Sequence, residues 1–123
     1  LKLKPTRNSH LLKELKLDKE EGEDYIFLHE DRTRGFNIDR ERLPRGIRII
    51  EPLPPAKNWS FFDYVDVIKG AKEIHVIESS FAALIESLKI SEPPKFAHRY
   101  ARPNAFYDQR YEFTYKSDWT ILT

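Results

Sequence analysis

The chain of 123 residues contains neither cysteine nor methionine. Without cysteine there is no disulfide framework, no thiolate nucleophile and no thiolate metal site. That fits a reducing compartment, and the expected location is cytoplasmic. The missing methionine, absent even from a start that reads Leu1-Lys2-Leu3-Lys4, leads to the expectation of a piece of a longer protein. An excess of one charge is also lacking, with 21 basic residues against 20 acidic ones. Bulk charge therefore predicts no nucleic-acid or membrane partner, and any anion recognition has to be local. No apolar run approaches the ~18 residues of a membrane span, and the charged N-terminus is no secretory leader. The glycines form no dinucleotide fingerprint, no phosphate-loop lysine motif and no hydrolase elbow. The histidines, at positions 10, 29, 75 and 98, fall at no metal-ligand spacing. Neither a metal nor a cofactor is expected.

What is present is a foldable globule. Hydrophobic content of 40% and aromatic content of 13% argue against disorder, and the length suits one domain with one core. Residues 1–7 read as a basic linker or arm. A helix capped by Asn8 or Ser9 runs to about Leu17, with Leu11, Leu12 and Leu15 on one face. Tyr25 to His29 is a short apolar run typical of a strand buried on both faces. The charged stretch 30–46 is long for a plain loop and suggests a helical turn near Asp39 to Leu43. Ile47 to Ile50 reads as a second strand, halted by Pro52, Pro54 and Pro55.

Ser60 and Asp63 form a variant capping box for a helix that runs to about Lys69 and closes at Gly70. Strand Ile74 to Ile77 follows. Next comes a helix from Ser80 to about Leu88, whose Phe81, Leu84, Ile85 and Leu88 make a full apolar face. Beyond Pro93-Pro94, Lys95 to Ala101 reads as a strand. The aromatic C-terminal segment, 103–123, offers an edge strand at Tyr111 to Tyr115 or at Trp119 to Leu122. This alternation predicts an α/β fold: a single Rossmann-like layered domain with a small, mostly parallel sheet.

In such a sheet the carboxyl ends of the strands share one edge. Three segments meet there: His29 to Arg34, Glu78 to Phe81, and the turn after Tyr100. The candidate binding residues are His29, Arg32, Arg34, Glu78, Ser79, Ser80 and Arg102. Ser79-Ser80 opens a helix just beyond a buried strand, where hydroxyls and free amides suit a phosphate or a sugar hydroxyl. Serine is also an ordinary N-cap. Arg32 and Arg34 match phosphate oxygens bidentately, although Glu30 and Asp31 beside them can neutralise them. His75, in mid-strand, reads as a packed or inter-domain histidine. A serine hydrolase built on Ser79 or Ser80 would need His29 or His98 as its base.

The ordered stretches Asp24 to Gly35 and Phe62 to Phe81 resemble the C-terminal, donor-binding half of a GT-B-type glycosyltransferase. The likeness runs from about Arg7 to Arg102. Its sharpest part is Ala71 followed by Glu78-Ser79-Ser80, ahead of the helix that caps the donor phosphates in that family. The resemblance implies a metal-independent site for the diphosphate of a nucleotide-sugar donor, with the loop His29 to Gly35 facing an interdomain cleft. It also implies a partner domain or chain, because such enzymes have two Rossmann-like halves and 123 residues hold one. A lone half would bind donor without turnover. Two alternatives stay open: a non-enzymatic α/β module that docks on a partner through its aromatic C-terminal segment, and a phosphate-handling hydrolase.

Overall fold

The computed structural model describes residues 9–17, 24–54, 59–101 and 115–123. Tyr25, Ile26, Phe27 and Leu28 are all buried, as their unbroken apolar run requires of a strand covered on both faces. This strand, β1 (Tyr25–His29), is flanked by β2 (Arg48–Ile50) and β3 (Glu73–Val76). The sheet continues through β4 (Lys95–His98) to β5 (Thr120–Leu122). The order is β2-β1-β3-β4-β5 and every pairing is parallel. The small α/β, Rossmann-like domain expected from the alternation is thus what forms.

The chain leaves β1 in one direction to reach β2, then turns back across β1 to reach β3, β4 and β5. Crossovers of a single hand put connections of opposite direction on opposite faces. One face of the sheet presents Tyr25, Phe27, Ile74 and Val76. It packs against α1 (Ser9–Glu14), α2 (Val65–Lys69) and α3 (Ser80–Leu88) through Leu11, Val67, Ile68, Leu84 and Ile85. The other face presents Leu28 and Ile77. It is covered by the irregular β1–β2 connection through Ile38 and Leu43, together with Ala101. That connection contains two 3₁₀ turns, Arg32–Arg34 and Arg40–Arg42, the second of them on the helical turn expected there.

Several boundaries shift for local reasons. The Asp63 carboxylate accepts from the Ser60 amide at 2.8 Å and from its hydroxyl at 3.1 Å. The first turn after it is 3₁₀, Phe61–Tyr64, and α2 proper starts at Val65. Gly70 ends α2 with ordinary right-handed angles. Its lack of a side chain is needed for another reason: a Cβ there would lie 2.8 Å from the Tyr25 hydroxyl. That hydroxyl donates to the Val67 carbonyl at 2.6 Å, and burial pushes its pKa up to about 12. α3 spans the expected residues, and Lys89 closes it in the left-handed region. β4 stops at His98, short of Ala101, because Arg99–Ala101 coils into a 3₁₀ turn. Trp119 to Leu122 holds the edge strand, one residue shorter. The other edge candidate, Tyr111 to Tyr115, lies outside the described residues except for Tyr115, as do residues 1–7.

Candidate functional site

The strand order reverses at β1 and β3, and in open α/β sheets the crevice beyond the carboxyl ends at such a reversal is the usual ligand position. Here it brings together His29, which ends β1, and Ser79, which leads β3 into α3. The Ser79 hydroxyl lies 3.1 Å from His29 Nδ1. Ser79 is the N-cap of α3 in extended conformation, yet its side chain bonds no helix amide. The hydroxyl that would ordinarily cap the helix is turned to the histidine instead. Ser80 is exposed on the first turn.

The His29 ring sits 4.6 Å from Phe81. Burial lowers its pKa, and nearby Asp31 and Glu30 only partly oppose that. The ring is therefore neutral at pH 7. If Nδ1 is bare, the Ser79 hydroxyl donates to it and Nε2–H is the ring's donor. The opposite tautomer reverses the pair. Among the described residues no carboxylate is hydrogen-bonded to His29, so the third member of a triad is missing.

Beside this pair a cleft of about 670 Å³ opens. Its walls are aromatic, from Trp59, Phe61, Tyr64 and Phe81, and its charged lining is Arg32 with the carboxylates of Glu30, Asp31 and Glu51. Phe81 is the hub of the wall, with Phe61 edge-on at 4.8 Å and Tyr64 at 5.8 Å. Phe61 stays half exposed at 44%, so an apolar ring can lie on it.

The loop that carries the arginines is organised by Glu30, whose side chain is only 2% exposed. Its carboxylate accepts from Arg32 Nε at 2.7 Å, Arg40 Nη1 and Nη2 at 3.0 and 2.9 Å, and the Ile38 amide at 2.8 Å. Burial pushes the Glu30 carboxyl up, but these donors outweigh it and hold the pKa below its ordinary value. The outer nitrogens of Arg32 and Arg40 then approach Glu51 at 3.6 and 3.9 Å. Arg34 points away from this group and pairs with Asp31 at 3.5 Å.

Glu78 is nearly buried and turns to the third segment. Its Oε2 accepts from Arg99 Nε and Nη2 at 2.9 and 2.8 Å, and from the Tyr115 hydroxyl at 3.0 Å. Of the expected residues, His29 and Arg32 line the cleft and Ser79 reaches it only through His29, while Ser80, Arg34 and Glu78 lie outside its lining. Arg102 lies outside the described residues. Of the aromatic C-terminal segment, Tyr115 is held by Glu78 and the Trp119 indole donates to Glu86 at 2.8 Å.

Three features escape the sequence reading. Arg40 is a second arginine on the Glu30 carboxylate, separated from it by a loop whose path no spacing rule specifies. The aromatic wall draws Trp59, Phe61 and Tyr64 to Phe81, which the periodicity marks only as part of a helix face. His75 and His98 meet in the interior, joined at 2.8 Å. No group of histidine, cysteine and acidic side chains suited to a metal ion occurs among the described residues. No helix there is long and apolar enough to cross a membrane. Comparison with protein-family models, with curated proteins and with solved structures finds no match to this chain.

Proposed function

We propose that the domain binds the diphosphate of a nucleotide-sugar donor and serves as the donor half of a glycosyltransferase, inactive without a partner domain. The carrying observation is the aromatic cleft at the β1–β3 reversal, with the His29–Ser79 pair beside it. A ligand with a flat apolar ring and an anionic tail suits such a cleft. The ring lies against Phe61 and Trp59, and the tail meets the His29 Nε2–H, which the Ser79 hydroxyl fixes by donating to Nδ1, and the first amides of α3. Arg32 adds charge that offsets the negative charge growing on a leaving diphosphate. Its present partners, Glu30 and Glu51, leave it 65% exposed. The partner-docking alternative through the 103–123 segment draws no support from Tyr115 and Trp119, which are engaged within the domain.

The test is isothermal titration of the folded protein with nucleoside diphosphates at millimolar concentration. Binding weakens about tenfold for each hydrogen-bonding partner removed, at ~1.4 kcal/mol apiece, in Ser79→Ala and His29→Ala. Absence of heat from every nucleoside diphosphate would sink the reading.

The 3.1 Å Ser79–His29 contact favours a second reading, a hydrolase in which Ser79 is the nucleophile and His29 the base. Against it, Ser79 is in relaxed extended geometry, not a strained elbow, and among the described residues no acid orients His29. A fluorophosphonate probe decides the matter. A covalent adduct on Ser79, lost in His29→Ala, supports the hydrolase; an unlabelled protein excludes it.

A further inference from the structure

The sheet face opposite the helices carries a polar chain that the cleft does not use. Glu73, His75, Phe96 and His98 share that face, because His75 lies beside Phe96 in the β3–β4 register and side chains repeat every second residue. His75 and Phe96 stack with ring centroids 4.5 Å apart and planes within 5°. His75 Nε2 is 2.8 Å from the Glu73 carboxylate, and its Nδ1 is 2.8 Å from His98 Nε2. His98 Nδ1 is 2.7 Å from the Tyr100 hydroxyl, which accepts from the Asp39 amide at 2.9 Å. His75 is 1% exposed and His98 is fully enclosed.

Hydrogen placement in this chain follows from its ends. The Glu73 carboxylate only accepts, so His75 carries its proton on Nε2 and offers a bare Nδ1. His98 then donates from Nε2, and its bare Nδ1 takes the Tyr100 proton. The Tyr100 oxygen remains free to accept from Asp39. With both histidines neutral, every donor meets an acceptor and the chain runs in one direction. One added proton breaks the match. If His75 becomes a double donor, His98 must reverse and donate to Tyr100, which leaves the tyrosine proton without its acceptor. If both histidines are charged, two N–H groups confront each other at 2.8 Å.

The surroundings oppose a proton there. His98 faces His75 from β3, Tyr100 from its own segment, and Arg42 and Asp39 from the β1–β2 connection. The Arg42 guanidinium lies 4.3 Å from the Tyr100 ring centre. Burial first, then His75 and Arg42, push the His98 pKa down to about 3, against the pull of Asp39. Burial also lowers His75, against the pull of Glu73.

We infer that Glu73, His75, His98 and Tyr100 form an acid-released latch that pins the segment from Ile38 to Leu43 onto the sheet. The pinned end is the Asp39 amide. Opening the latch frees both histidines to take protons at their ordinary value near 6.5, so acid favours the open form. The segment contains Arg40, whose guanidinium bonds Glu30. The latch thus ties the order of the arginine-bearing loop to pH, whatever ligand the cleft holds.

The test is amide hydrogen exchange by NMR on the whole chain from pH 7 to pH 4.5, corrected for intrinsic rates. The Asp39 amide is expected to be less protected than that of Ile74, which bonds Pro94 within the sheet. Its protection should fall by roughly 100-fold at pH 4.5 through His98 alone, with His75 adding in the same direction. His98→Gln keeps a donor and an acceptor but cannot titrate, so it should remove about tenfold per pH unit from that dependence. Tyr100→Phe should abolish Asp39 protection at pH 7. The latch is overturned by a pH-independent Asp39 amide, by protection equal to that of Ile74 at every pH, or by a Tyr100→Phe protein that keeps Asp39 protected.

Discussion

Single residues at this sheet edge are explained by what they touch, not by what they are. Ser79 is an N-cap by position, yet its hydroxyl faces His29 and leaves the α3 amides to other partners. Gly70 has helical angles that any residue adopts, yet the Tyr25 hydroxyl occupies the place of its side chain. Tyr25 is itself anchored to Val67, so it cannot swing aside without losing a bond. Gly70→Ala is therefore expected to destabilise the domain by about 1–3 kcal/mol, the range for overpacking. Tyr25→Phe removes the clashing oxygen. The double mutant should be less unstable than the sum of the two single mutants, and a double-mutant cycle by urea denaturation checks this coupling.

The elements show which parts of the fold local pattern specifies. β1 and α3 are legible because each carries a full period of its own, four buried residues in a row and a four-residue apolar face. The meeting of His29 with Ser79 was also legible, since parallel strands leave their carboxyl ends together. β4 was read three residues too long because its alternation persists through Tyr100, while the pull of Glu78 on Arg99 belongs to tertiary structure. The His75–His98 pair depends on the register that sets Ile74 beside Lys95, and neither strand encodes that by itself. The same holds for Glu30: its charge suggested a solvated loop residue, while its burial comes from donors up to ten positions away. Glu30→Gln keeps the shape but cannot satisfy two guanidinium groups. It should cost about 1–3 kcal/mol and loosen the Arg32 to Arg42 connection. Chemical denaturation would measure the first effect and amide exchange of Ile38 the second. An Ile38 amide as protected as before would contradict the role given to Glu30.

At the scale of the whole molecule, acid acts through groups on both faces of the sheet. His29, His75 and His98 all have folded pKa values lowered first by burial. Below the ordinary histidine value of about 6.5 the unfolded chain binds more protons than the folded one, so stability falls as pH falls. It is fully present above that value. For His98, whose folded pKa is about 3, the loss is roughly 2 kcal/mol between pH 6.5 and pH 5. Urea midpoints should accordingly drop over this window, ahead of the carboxylate range, and drop less in His98→Gln. A midpoint constant from pH 7 to pH 5 would contradict the buried neutral histidines. The strand order has another consequence, in time. β1 is central, but one of its neighbours, β3, comes much later in the chain. At 5–20 residues per second, a ribosome needs roughly 2–10 s to go from the end of β1 to the end of β3. Throughout that interval the most apolar strand waits with one side unpaired, the state in which a nascent chain most needs a chaperone.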